Sequence, residues 1–143
     1  PDVDLVPEAS DDWYDAALDL ETSDPRGAAE AYRRAIELDP GHADALLNLG
    51  RLLHEEGRVD EAEARYRDAL DADPSSARAW FNLGVALEDL GRRDDAVRAY
   101  ERALKLDDQL AVAHFNLSRL LDETGLRAKA LRHLARYRQL AAR

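Results

Sequence analysis

Asn48, Asn82 and Asn116 stand 34 residues apart, in the strings ALLNLG, AWFNLG and AHFNLS. Each side-chain amide carries two N–H donors and a carbonyl acceptor. A row of them matches the donor–acceptor pair that an extended peptide presents at every residue. That is hydrogen-bonding chemistry, in which no covalent bond is made or broken. The residue types that do covalent chemistry lack the spacing for it. There is no cysteine, which excludes disulfides, thiolate metal sites and cysteine nucleophiles. His42, His54, His114 and His133 show no metal-ligand spacing of the H-E-x-x-H kind. The few serines and threonines fall at caps and turns, without a G-x-S-x-G, and the glycines punctuate helices instead of forming a phosphate-binding loop. Carboxylates abound, but none is paired within an apolar segment as a general acid–base couple requires. No catalytic residue, cofactor or metal is predicted.

Asparagine is a mediocre residue for a helix interior, because its amide competes for the local backbone. Its recurrence against that propensity predicts a task in the assembled structure, so the elements that carry it matter. The chain has 143 residues, 45% of them hydrophobic and 35% charged. Ala, Leu, Glu, Asp and Arg dominate, Gly and Pro are sparse, and no alternating strand pattern occurs, which predicts an all-α protein. No apolar run approaches the length of a transmembrane helix and no signal-peptide core is present, so no membrane association is expected. The chain begins with Pro1 and contains no methionine. A piece of a longer protein is therefore expected, in a cytoplasmic setting subject to any address encoded upstream. Arginine outnumbers lysine 18 to 2, as in proteins from GC-rich bacterial genomes.

The net charge of −10 is unevenly spread: residues 1–126 carry −16 and residues 127–143 carry +6. The acidic bulk argues against generic nucleic-acid binding, which needs a broad basic footprint. Arg127, Lys129, Arg132, Arg136, Arg138 and Arg143 make up the basic tail. Cations there suit the end of a helix dipole and can favour an acidic partner.

Three rows written beneath one another, 43–76, 77–110 and 111–143, expose a repeat. Their eighth places hold Gly50, Gly84 and Ser118, and their fifteenth places Gly57, Gly91 and Gly125. The twentieth hold Ala62, Ala96 and Ala130, and the twenty-fourth Tyr66, Tyr100 and Leu134. Self-similarity at this period marks stacked supersecondary units, each unable to bury its apolar face alone. Each row reads as two helices. The first runs to the fifteenth-place glycine, which suits a left-handed residue after a helix C-terminus. The second starts two or three residues later with Asp60 or Asp94 as N-cap, and Pro74 ends it in the first of these rows.

An earlier row, 10–42, is less regular. EAYRRAIELDP (30–40) aligns with ARYRDALDADP (64–74), giving Ala28, Tyr32, Ala35 and Pro40 the places of Ala62, Tyr66, Ala69 and Pro74. Aligned without a gap, its first helix puts Asp15 and Asp19 in apolar places. Deleting one turn residue puts Trp13, Ala16, Ala17 and Leu20 there instead. Burying two unpaired carboxylates costs far more than shortening a surface turn. Ser10 is then the expected cap of that helix, and Asp24-Pro25 opens its partner. Residues 1–9 read as a disordered lead-in or the end of a linker.

Trp80, Leu83, Gly84 and Leu87, followed by Ala96 and Tyr100, resemble the tetratricopeptide repeat pattern W-x2-L-G-x2-Y, A-x3-F, P at a 34-residue period. The row before has Leu46, Leu49, Gly50, Leu53, Ala62, Tyr66 and Pro74 in the same order. The resemblance covers residues 10–143 and implies an α-solenoid of antiparallel helix pairs, four repeats wound as a right-handed superhelix. Departures from the pattern are Asp108 in place of proline, Ser118 for glycine and Tyr137 for a small residue. The first predicts a looser junction between rows three and four. The last, with Arg138 where Ile36, Leu70 and Leu104 stand, predicts a terminal helix that meets water, without the separate solvating helix the family commonly adds.

At about 100° per residue, the fourth, seventh, eighth and eleventh places of a first helix share one side. The second, fifth, sixth, ninth, twelfth and thirteenth share the other. The resemblance implies that first helices line a concave surface and that the second set meets ligand. Asn48, Asn82 and Asn116 are sixth-place residues, expected as donors and acceptors. The fifth place holds Tyr14, Leu47, Phe81 and Phe115, an expected apolar stripe. Arg51 and Arg119 at the ninth place are expected to anchor carboxylate or carbonyl groups, with Arg78 at the second place beside them. At the twelfth and thirteenth places, His54-Glu55, Glu88-Asp89 and Asp122-Glu123 form an acidic edge. Such a groove suits an extended segment with apolar anchors and some basic residues. The cationic clamp by which one variant of the family holds C-terminal carboxylates is absent.

The function predicted is a scaffold or adaptor for a protein or peptide, extended or helical, with no small-molecule substrate. Two alternatives stay open. One is end-to-end self-association into a homo-oligomer: the first thirty residues hold ten acids against Arg26 alone, and the basic last helix leaves Leu131, Leu134 and Leu140 partly exposed. The other is a sensory or partner-recruiting tail of a larger bacterial protein such as a transcriptional regulator.

Overall fold

A computed structural model of the chain describes residues 9–143. Their regular structure is helical throughout: α1 (Ser10–Leu20), α2 (Pro25–Leu38), α3 (Ala43–Glu55), α4 (Val59–Ala72), α5 (Ala77–Asp89), α6 (Arg93–Leu106), α7 (Ala111–Glu123) and α8 (Arg127–Ala141). The helices form two compact units that divide between Pro74 and Ser75. Apart from Ala9, the expected lead-in at 1–9 lies outside the described residues.

In the first unit α1 packs on α2, α2 on α3 and α3 on α4. The register of α1 follows the shortened turn: Ala17 is fully buried, Trp13, Ala16 and Leu20 are half-buried, and Asp15 and Asp19 are exposed. Asp24 caps α2, its Oδ1 accepting from the Gly27 N–H at 3.0 Å, with Pro25 the first helical residue. Ser10, by contrast, is not the cap of α1. Ala9 takes that place, and the Ser10 hydroxyl donates to the Ala35 carbonyl of α2 at 2.8 Å. A bond that ties two helices replaces the local one. His42 caps α3, its Nδ1 accepting from the Ala45 N–H at 3.2 Å, a role absent from the expectations above.

Asp60 and Asp94 do not cap either. The N-caps of α4 and α6 are Arg58 and Arg92, and both acids stand in the first turn. The cause is the preceding turn. Gly57 has φ of 83°, and the Gly57 and Arg58 N–H groups reach the His54 and Leu53 carbonyls at 2.9 Å each. This is a Schellman closure, which needs a left-handed residue without a Cβ. It delivers the chain straight into the next helix, two residues ahead of the aspartate. The acids then act on the helix dipole instead of the cap.

In the second unit α5 packs on α6, α6 on α7 and α7 on α8. Ser76 caps α5 through its Oγ, 3.1 Å from the Ala79 N–H. Asp108 in place of proline does not loosen the α6–α7 turn. Asp107 Oδ1 accepts from the Gln109 N–H at 3.0 Å, just as Asp39 Oδ1 accepts from the Gly41 N–H at 3.1 Å in the turn that contains Pro40. The Asx bond shapes the turn with or without the proline.

Each core is organised around buried tyrosines. Tyr66 lies on Gly50 and Tyr100 on Gly84, so closely that a Cβ at either glycine would meet a ring carbon at 2.6 Å. In the last row both partners change together: Ser118 is buried at the glycine place and Leu134 half-buried at the tyrosine place. The smaller side chain on α8 makes room for the larger one on α7. α8 buries only Ala130, whereas α4 buries Ala62, Tyr66, Ala69 and Leu70. As expected of a helix that meets water, Arg138 and Leu131 are exposed, and Leu134 and Leu140 are half-buried.

Candidate functional site

Glu21, at the C-terminal end of α1, collects the polar groups of the first unit. The Tyr32 hydroxyl donates to its Oε1, and Arg51 Nη2 donates to Oε1 and Oε2 at 2.6 and 2.7 Å. Asn48 Nδ2 donates to the Tyr14 hydroxyl at 3.3 Å, and the Tyr14 ring lies 5.8 Å from that of Tyr32. The second unit repeats the arrangement around Glu88. The Tyr100 hydroxyl donates to Glu88 Oε1 at 2.9 Å, and Arg119 Nη2 donates to Oε1 and Oε2 at 2.9 and 2.7 Å. Asn116 Nδ2 donates to the Tyr100 hydroxyl at 3.3 Å. By their row places Glu21, Tyr32, Asn48 and Arg51 correspond to Glu88, Tyr100, Asn116 and Arg119, but Asn48 donates to the fifth-place Tyr14 where Asn116 donates to the twenty-fourth-place Tyr100. The Glu–Arg separation is 30 residues in the first and 31 in the second. The missing residue is the one deleted from the α1–α2 turn.

The networks hold their protons firmly. Burial, and then the bond and charge of Glu21, push the Tyr32 phenol far above its ordinary range; burial and Glu88 do the same to Tyr100. Both hydroxyls therefore remain donors. Burial disfavours the Arg51 cation, but the bonds and charges of Glu21 and Glu55 together outweigh this and raise its pKa. The Glu88 bond raises that of Arg119.

These contacts change the reading of several expected ligand contacts. Arg51 and Arg119 are each bound to a carboxylate of the protein itself, so neither is a free anchor. An incoming carboxylate would have to displace one already in place with charge-assisted hydrogen bonds. Asn48 is 7% exposed and Leu47 is a core residue at 4%. Glu55 pairs with Arg51 at 3.3 Å, and Glu123 with Arg93 at 3.5 Å and Arg119 at 3.8 Å; Asp89 is exposed.

What stays open lies on α5 and α7. Phe81 is half-buried, its ring 5.7 Å from Tyr100, while Phe115 is 43% exposed with its ring 5.1 Å from Tyr137. Val112, near the start of α7, is 55% exposed. The half-buried Asn82 amide makes no hydrogen bond to any described residue, and exposed Arg78 has no ion-pair partner among them. No three His, Asp or Glu among the described residues are placed to hold a metal ion, and no helix is long and apolar enough to cross a membrane.

Glu21, Tyr32 and Tyr100 were not predicted as members of a site, and Tyr14 and Glu88, expected on the apolar stripe and the acidic edge, were not predicted as parts of these networks. A signal for them exists in the rows. Glu at a twelfth place is followed by Arg at the ninth place of the next row in both units, and where the twelfth place is His54 the next ninth place is Val85.

Three models of the tetratricopeptide repeat match this chain, over residues 19–83, 77–110 and 111–136. The chain belongs to the tetratricopeptide repeat family. Over 57 residues it is 42% identical to Tetratricopeptide repeat protein 8 of Caenorhabditis elegans, a match that covers 39% of this chain and 11% of that protein. It thus spans a small part of that relative's length. A crystal structure of MamA superimposes with a TM-score of 0.86 at 19% identity, over 93% of this chain and 78% of that one. PilF of Pseudomonas aeruginosa gives 0.87 at 26% identity, over 93% of this chain and 61% of that one. MamA from Desulfovibrio magneticus RS-1 gives 0.81 at 21%, over 93% and 76%. These likenesses make the chain an all-α helical-repeat solenoid. Tetratricopeptide repeats commonly serve as protein-interaction scaffolds and are typically not enzymes.

Proposed function

We propose that the chain comprises four tetratricopeptide repeats, at 10–42, 43–76, 77–110 and 111–143, and acts as a non-catalytic scaffold holding an extended segment of a partner protein. The surface assigned to that task is the one carried by α5 and α7. Asn82 carries the reading: its amide lacks an internal partner, whereas Asn48 and Asn116 are bonded to tyrosines. An extended backbone supplies the acceptor and donor that such an amide needs. Phe81, Val112 and Phe115 leave apolar surface on the same two helices. With Arg119 neutralised by Glu88, and with the excess of acids that Glu88, Asp89, Asp122 and Glu123 give this edge, the segment that fits carries apolar anchors flanked by Lys or Arg. Selection of random linear peptides on the full chain tests this. Binders should share that composition and lose about tenfold in affinity, about 1.4 kcal/mol, on Asn82→Ala at unchanged melting temperature and on Phe115→Ala, which also gives up the Tyr137 contact and melts somewhat lower. Peptides that bind both variants as tightly as the original chain would overturn it.

A second reading, end-to-end self-association, rests on complementary exposed faces. α8 exposes Arg127, Leu131, Arg132 and Arg138, and α1 exposes Asp12, Asp15, Leu18 and Asp19. If these faces pair between copies, the sedimenting mass rises with concentration and falls with added salt, which screens exposed charges. A monomer at high concentration and low salt would exclude it.

A further inference from the structure

His114 occupies the fourth place of its row, where Trp13, Leu46 and Trp80 stand in the others. It is 6% exposed, so an imidazole sits where the repeat buries an apolar side chain. Its Nε2 lies 3.0 Å from the Asp108 carbonyl oxygen. A carbonyl only accepts, so that nitrogen carries the proton of the neutral ring and Nδ1 is left as an acceptor. Nδ1 faces His133 Nδ1 of α8 at 3.0 Å. The ring centroids are 5.2 Å apart, close to the largest separation two imidazoles can have at that nitrogen distance. The nitrogens therefore point at each other along one line, the geometry of an N–H···N hydrogen bond and not of two lone pairs converging on a metal. His133 Nδ1 is the donor, and its Nε2 keeps a lone pair.

The surroundings make added protons unwelcome. On α8, Lys129 and Arg132 flank His133, and Arg136 reaches Asp108 at 4.0 Å; on α6, Glu101 pairs with Lys129 at 3.4 Å. Burial, then His114, Lys129 and Arg132, lower the proton affinity of His133, with Glu101 opposing. A first proton on His133 Nε2 leaves the N–H···N bond intact. A second, on His114 Nδ1, sets N–H against N–H and two cations side by side. α8 has little apolar burial to resist the resulting repulsion, since Ala130 is its one fully covered residue.

We propose that His114 and His133 form a proton-operated latch between α7 and α8, closed by one shared N–H···N hydrogen bond and opened by acid, so that α8 swings away from the apolar residues of α7 it packs against. The inference does not depend on the ligand surface of α5 and α7.

The test uses the full chain with 15N-labelled histidine. At pH 7.5 the imidazole signals should report His114 as the Nε2–H tautomer and His133 as the Nδ1–H tautomer. Hydrogen-exchange protection of α8 amides, corrected for intrinsic rates, should then fall by up to about tenfold per pH unit below the ordinary histidine range, as proton linkage requires. Protection of α5 and α7 should hold. His114→Leu installs the residue that stands at this place in α3 and keeps the core apolar, so it should fold and give α8 protection a much shallower dependence on pH across that range, the remainder coming from the burial of His133. The same slope in His114→Leu, loss of α7 and α8 protection together, or both rings in the Nε2–H tautomer would each overturn the latch.

Discussion

α4 and α8 hold the same place in their units, each the fourth helix and each packed on the helix before it, but they are fastened differently. α4 presents an apolar face: Ala62, Tyr66, Ala69 and Leu70 are buried, and the Tyr66 ring fills the space over Gly50. α8 replaces Tyr66, Ala69 and Leu70 with Leu134, Tyr137 and Arg138, and keeps only Ala130 covered. Specific side-chain contacts stand in for the lost area: His133 with His114, Tyr137 on Phe115, Lys129 with Glu101, and Arg143 with Gln109 at 2.8 Å. Burial is indifferent to pH and salt over wide ranges, whereas hydrogen bonds between titratable groups and exposed ion pairs are not. The difference shows where a repeat can be made to respond to conditions: at a helix fastened by titratable and charged side chains in place of buried apolar area.

Removing the apolar anchors separates the two helices most sharply. Tyr66→Ala should cost about 3–5 kcal/mol in urea unfolding, the range for large buried aromatics, and Leu134→Ala about 1 kcal/mol because its site is half open to water. Equal losses would mean that α8 is held by burial after all. A smaller effect is expected from the glycines. Gly84→Ala drives a methyl into the Tyr100 ring and should cost about 2–3 kcal/mol by overpacking. Ser118→Ala, opposite the smaller Leu134, should change stability by less than about 1 kcal/mol.

Alkali offers a third comparison. The Tyr66 phenol is raised from 10.0 to about 12 by burial, with Arg51 opposing. The stability this represents is fully present below pH 10 and is lost as pH rises through about 12. Phenolate absorbance from Tyr66 should appear only as helical signal disappears, and Tyr66→Phe should unfold at higher pH. The smallest effect is expected for the ion pairs. A double-mutant cycle on Glu21 and Arg51 should give a coupling of about 1 kcal/mol, since both side chains are partly solvated, and the Glu88–Arg119 cycle somewhat less.

Most of the fold was legible because it rests on periodic apolar positions. The register of α1 could be settled by the cost of burying Asp15 and Asp19. The closure at Gly57, Gly91 and Gly125 followed from the need for a left-handed residue. What escaped was decided by partners distant in the chain. Ser10 gave up its cap to bond Ala35, and His42 took a cap that no local pattern signalled. The site was legible by face and not by occupancy: helical geometry puts Arg51, Arg119 and the asparagines on one side, but only the fold brings Glu21 and Glu88 within reach of the arginines. The consequence is that three residues identical in type and row place have different duties.

That difference can be measured directly by unfolding Asn48→Ala, Asn82→Ala and Asn116→Ala side by side. Asn48 and Asn116 each donate a hydrogen bond to a tyrosine hydroxyl, so their removal should lower stability by about 1 kcal/mol each. Asn82→Ala should leave the midpoint unchanged within error. Equal losses at all three positions would contradict the account, because Asn82 would then be structural like the others and not open to a ligand.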